Sequence, residues 1–199
     1  IQMVNHGVST GALFLLVGVI YERRHTRDID AFGGLAKVMP WYTAVFVLVA
    51  MSSIGLPGTN GFIGEFLIMA GAFFSNRGFI GYGPWGTIFT LVAATGVILA
   101  AIYMLHVTLK MFWGPLSKKE NMGLPDLTRR EWTALAPLIL FIFWIGWSPA
   151  TFLDRSEPAI VQFLADFDAK WESSSTDDSL RLLPPAPAAP AAEVEAAVE

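Results

Sequence analysis

Cysteine is absent from this chain of 199 residues. Disulfide frameworks are therefore excluded, and so are cysteine-ligated metal and iron–sulfur sites. Charge is the second shortage. Asp, Glu, Lys and Arg make up 15% of the residues, where a soluble domain carries about 25%. The deficit is concentrated: between Trp41 and Phe74 the one carboxylate or amine side chain is Glu65. A basic leader is also missing. The chain opens on IQMVNHG, without a positively charged n-region and without Met at position 1. A fragment whose start lies upstream is expected. The sequence holds no phosphate loop, metal-ligand cluster or nucleophile constellation.

What fills the chain instead is apolar: 54% of its residues are hydrophobic. Runs long enough to cross a bilayer, about 20 residues each, place it in the membrane class. Four spans are expected, at about residues 2–21, 41–74, 84–112 and 132–153. Aromatic rings mark their ends at Tyr21, Trp41, Tyr42, Trp85, Trp113, Trp132 and Trp147, as expected for side chains with one polar edge at the headgroup level. The lipid bilayer is thus the first partner implied. The formal charge of −4 divides unevenly, with +3 over residues 1–153 and −7 over residues 154–199. Neither part suits nucleic acid as a partner.

The second span is interrupted near residues 56–61, inside GLPGTNGFIGEF. Each half is about 14 residues, roughly 21 Å of helix, too short to cross alone. A single broken span puts loops 22–40 and 113–131 on one side. They carry Arg23, Arg24, Arg27 and Lys37, then Lys118, Lys119, Arg129 and Arg130, whereas the loop near 76–83 carries only Arg77. The positive-inside rule then makes the basic loops cytoplasmic and both chain ends extracytoplasmic. Within the first loop a short helix is expected, with Thr26 or Asp28 as N-cap and Gly33 or Gly34 at its end. The basic residues themselves read most simply as a solvated, orienting loop.

Beyond residue 153 the pattern changes. Residues 154–172 predict an extracytoplasmic amphipathic helix, capped by Ser156 and running from Pro158 to about Trp171. Ile160, Phe163, Leu164, Phe167 and Trp171 form its apolar stripe, opposite Asp166 and Asp168. Acidic rather than basic residues on the polar face favour packing on protein over anionic lipid. Residues 173–199 are Pro/Ala-rich and acidic, which predicts disorder.

The break carries the candidate chemistry. Pro57 removes an amide donor, and Gly55, Gly58 and Gly61 relax the backbone into a hinge. Unwound backbone at membrane depth survives only against protein or water, and transport proteins use such breaks to place helix ends near ions. Glu65 follows within about one turn. A charged carboxylate there costs several kcal/mol, and a carboxyl poised between charged and neutral forms is a proton carrier. The alternative is a Pro/Gly kink with a salt-bridged, structural glutamate. In the first span His6 is either a proton relay or a satisfied packing residue. Gly7 and Gly11 make a small-residue stripe for close helix approach. His106 and Lys110 end the third span one turn apart. Lys110 reads as a snorkelling interface residue, and His106 as an interface residue or a proton entrance.

The segment QMVNHGVSTGALFLLVGVIYERRHTRDIDAFGGLAKVMP, followed by GLPGTNGFIGEFLIMAGAF, resembles the C-terminal part of a family. These are the antiporter-like membrane-arm subunits of proton-pumping NADH-quinone oxidoreductase, respiratory complex I, in their subunit M (chain 4) branch. The resemblance covers residues 1 to about 153 and implies an all-α integral membrane fold, a fragment of a fourteen-helix antiporter-like subunit. It places Glu65 on the glutamate of the broken twelfth helix and His6 on the central histidine of the eleventh. It further implies that NADH, FMN, iron–sulfur clusters and quinone are bound by partner subunits, with none bound by this chain. The flanking antiporter-like subunits L and N are the expected neighbours, in a bacterial plasma membrane. The function implied is proton translocation coupled to electron transfer from NADH to quinone, with no redox chemistry in this chain. Two alternatives stand beside it: a subunit of a multisubunit sodium/proton antiporter, and a structural membrane subunit without transport.

Overall fold

The computed structural model describes residues 1–74 and 85–175, and every regular element among them is helical. The loop near 76–83 and the tail from residue 176 onward lie outside the described residues. Helix α1 is Gln2–Arg24, α2 Pro40–Ile54, α3 Asn60–Phe74, α4 Trp85–Phe112, α5 Arg129–Trp147 and α6 Ala150–Ser175, with short 3₁₀ turns at Ile29–Ala31, Leu35–Lys37 and Lys119–Asn121.

Helices α1 and α4, with 23 and 28 residues, reach about 35 and 42 Å. Both are long and apolar enough to cross a membrane. Helices α2 and α3 have 15 residues each, about 22 Å, and fall short singly. Helix α1 buries Asn5, Ser9, Ala12, Leu16 and Val19. That alternating spacing of four and three residues lays one stripe along the helix, and the stripe packs on α2, α3 and α5. Its lower part is apolar and continues into Tyr42, Phe46 and Phe112, whose rings meet at centroid distances of 4.9 to 6.2 Å. Helix α4 packs against α2 and α3 and leaves most of its apolar surface open, from Leu91 to Leu109.

Three expectations change in the loops and at the C-terminal end. The first loop holds no α-helix. Asp28 does cap a turn, accepting from the Asp30 N–H, but that turn is a single 3₁₀ element ending at Phe32, and Gly34 opens the next. The helix expected through 153 in the fourth span ends at Trp147. Pro149 has no amide donor and pushes Ser148 out of the helical region (φ −129°, ψ 61°), so the chain bends by 67° between α5 and α6. Helix α6 then begins at Ala150, and Pro158 lies inside it rather than at its start. Pro149 O accepts from the Phe152 and Leu153 amides, so the helix is already under way when Pro158 arrives. Ser156 is no cap, because its hydroxyl donates back to Leu153 O.

Candidate functional site: the broken helix and its polar seat

The break between α2 and α3 is built from two standard turns. Gly55, at φ 87°, closes α2 in the left-handed conformation. The Gly55 amide donates to Ser52 O and the Leu56 amide to Met51 O, a Schellman closure that satisfies carbonyls left over at the helix end. Residues 56–59 follow as a type II turn. Pro57 sits at the second position, Gly58 at the third with φ 89°, and the Thr59 amide returns to Leu56 O at 3.1 Å. The proline and the two glycines are thus placed by backbone geometry. Gly61 is different. It lies inside α3, and a β-carbon there would run into the Ser52 carbonyl oxygen. Gly61 is therefore a close-approach residue and not part of the hinge. Gly146 of α5 presses on the turn in the same way, against Gly58 O.

Glu65 is one helical turn beyond Gly61, on the same face of α3. Its carboxyl folds back over the break: a β-carbon on Gly55 would fall 2.8 Å from Glu65 Oε2. The side chain is half-buried. Among the described residues, no ion pair or hydrogen bond engages its carboxyl. The adjacent face of α3 carries Asn60 and Gly64, both buried, and meets α1. Asn60 Oδ1 accepts from the Ser52 hydroxyl at 2.6 Å and from the Ser9 hydroxyl at 3.3 Å. Its Nδ2 donates to Asn5 O and to Ser9 Oγ, each at 3.1 Å. One amide thereby joins α1, α2 and α3 at the start of the half-helix that holds Glu65.

The remaining predicted residues lie apart from this cluster. His6 is exposed on the next face of α1, where its Nδ1 pairs with Thr10 Oγ1 at 3.2 Å. The structure forms no hydrogen bond between His6 and Glu65 among the described residues. Gly7 and Gly11 meet nothing within 4 Å. His106 is exposed on α4. Lys110 pairs with the Asp30 carboxylate, and Lys118 donates to Asp30 O. The hydrogen bond and charge of Lys110 hold the Asp30 carboxyl below the usual carboxylate range. Asn5, Ser52 and Asn60 were not singled out from the sequence. The signal was present as a polar stripe, Gln2, Asn5 and Ser9, on a mostly apolar helix.

Residues 1–90 match a family described as NADH:quinone oxidoreductase/Mrp antiporter, TM. The chain is 40% identical over 168 residues to NADH-quinone oxidoreductase subunit M of Rhodobacter capsulatus, covering 84% of this chain and 31% of that protein. Chain 4 of NADH-ubiquinone oxidoreductase from Marchantia polymorpha is 36% identical, over 76% of this chain and 29% of that one. Residues 1–90 belong to that transmembrane family, and the chain is similar to its subunit M and chain 4 relatives over the matched stretch. Among solved structures, respiratory complex I from Thermus thermophilus with bound NADH matches with a TM-score of 0.64 and 33% identity, over 76% of this chain and 29% of the matched chain. The chain thus spans about a third of the length of the curated relatives it matches. Family and apolar helices together make it a membrane protein.

Proposed function

We propose that this chain is the C-terminal portion of a proton-translocating membrane subunit of an NADH-quinone oxidoreductase. The observation that carries the reading is Glu65. It is a solitary carboxyl folded over a broken apolar helix pair, without a countercharge among the described residues. A glutamate held charged in an apolar bundle needs a paired cation, whereas a proton carrier must be free to change charge. In this reading Glu65 loads and unloads a proton during turnover. His6 continues the path along α1, toward the portion of the subunit beyond this chain. His106 marks an entrance at the loop side of α4, and Lys110, tied to Asp30, belongs to the interface.

Helices α2 and α3 together cross the membrane once in this reading. Loops 22–40 and 113–131 face the cytoplasm of a bacterial cell, and the two chain ends face outward. NADH, FMN, the iron–sulfur clusters and quinone are held by partner subunits, with subunits L and N as flanking neighbours. The Mrp-type antiporter remains the second reading, because the matched family includes both. The relatives named as oxidoreductase subunits favour the first. The full-length subunit, tagged and isolated from native membranes, separates them. Co-isolation of NADH:quinone reductase activity that acidifies one side of reconstituted vesicles supports the proposal. Isolation without that activity, together with sodium-gradient-driven proton exchange, overturns it.

A further inference from the structure

The junction of α1 and α3 holds three polar atoms that the fold leaves open. Asn5 is 1% exposed, yet neither its Nδ2 nor its Oδ1 has a hydrogen-bond partner, and the same is true of the buried Gln2 Oε1. Side-chain amides sealed in an apolar bundle are almost always satisfied. Two of the three, Gln2 Oε1 and Asn5 Nδ2, meet over Gly64. A β-carbon on Gly64 would collide with Gln2 Oε1 and would lie 2.8 Å from Asn5 Nδ2. Gly64 is therefore what gives the two amides their space, and it is the residue before Glu65. Directly beside them lies the Ser9–Ser52–Asn60 cluster, with Asn60 Nδ2 on Asn5 O.

The site supplies a carbonyl and an amide from Asn5 and a second carbonyl from Gln2. This mixed set of donor and acceptors matches a water molecule, which takes two to four such partners when buried. No charged side chain contributes, so an ion is a poorer fit. In the chain, the site's residues neighbour both residues of the proposed path. Gln2, Asn5 and His6 stand at i, i+3 and i+4 on α1, so Gln2 flanks both of the others. On α3 the site is one residue from Glu65.

We propose that Gln2 and Asn5, seated on Gly64, form a water-binding site that bridges the Glu65 half-helix to the His6 face of α1. Asn5 is the positioning residue. Its amide orients the water, which accepts a proton from one neighbour and releases another to the next, so that it is unchanged after each transfer. This inference rests on the proton-path reading of Glu65.

The test uses the full-length subunit in the assembled complex. A high-resolution density map is expected to show an ordered water within hydrogen-bond distance of the Asn5 amide. A direct Gln2–Asn5 bond with no water overturns the site. For its role, Asn5→Leu keeps the side-chain volume and removes the polar atoms. It is expected to lower protons pumped per NADH at least several-fold while quinone reduction persists. Asn5→Ser leaves room for water and is expected to recover a substantial part of the loss. Equal loss in both variants indicates packing alone and overturns the role. If Glu65→Gln pumps normally, the proton-path reading itself fails. If Glu65→Gln abolishes pumping while Asn5→Leu does not, the bridge alone fails.

Discussion

Arg23 in the last turn of α1 forks onto Glu131 in the first turn of α5, through parallel bonds of 2.7 Å and 2.8 Å. The three remaining N–H groups of the guanidinium go to Pro125 O, Val19 O and Asp126 O, so all five donors are used. Glu131 in turn completes a capping box with Thr128. The pair is largely shielded, with side-chain exposures of 8% and 16%. Arg23, which reads as a loop charge, therefore locks two helix ends together.

Lysine cannot reproduce this fork. Arg23→Lys keeps the charge but loses the bidentate contact and several backbone bonds. We expect it to destabilise the subunit by about 1.5–3 kcal/mol, the range for hydrogen bonds to charged groups. The check is the unfolding midpoint of the solubilised full-length subunit. An unchanged midpoint would show that the pair is dispensable.

Asp126 caps α2 from a distant loop. Its Oδ2 accepts from the Trp41 amide at 2.8 Å and its Oδ1 from the Tyr42 amide at 2.9 Å. These are donors that a helix start leaves free, and the negative charge suits that end of the helix dipole. Asp126→Ala should cost about 0.5–2 kcal/mol, and Asp126→Asn less, because one acceptor oxygen remains. Hydrogen exchange at the Trp41 and Tyr42 amides should rise in the Ala variant. Equal protection in all three proteins would contradict the cap.

Gly61 and Gly71 lie on the same helix but in different surroundings. A β-carbon at 61 meets the Ser52 carbonyl, while Gly71 has nothing within 4 Å. Gly61→Ala should force α2 and α3 apart, at about 1–3 kcal/mol for overpacking. Gly71→Ala should be neutral or stabilising by up to about 1 kcal/mol through helix propensity. Thermal unfolding of the two variants decides it, and equal effects would contradict the close approach at Gly61.

Much of the break was legible in the sequence because its rules are local. Pro57 followed by Gly58 specifies a type II turn within four residues, and Gly55 sits where a left-handed helix closure is needed. Gly61 was misread as hinge because its role depends on Ser52, nine positions earlier on another helix. The Thr128–Glu131 capping box was readable from its spacing, but the Arg23 partner, 108 residues away, was not. Asn60 and Asn5 stayed hidden for the same reason. A polar residue in an apolar run shows that a partner is needed without saying which helix supplies it. The bend at Ser148–Pro149 was locally written, yet aromatic and apolar residues on both sides of it masked the end of α5.

Proton pumping by the assembled complex carrying Glu65→Gln bears most directly on the function. The amide keeps the shape over Gly55 and removes the exchangeable charge. The ratio of protons moved to NADH oxidised should fall strongly with the complex intact, and Glu65→Asp, one methylene shorter, should be tolerated better. A normal ratio and a normal quinone reductase rate in an assembled Glu65→Gln complex would contradict a proton-carrying role for Glu65.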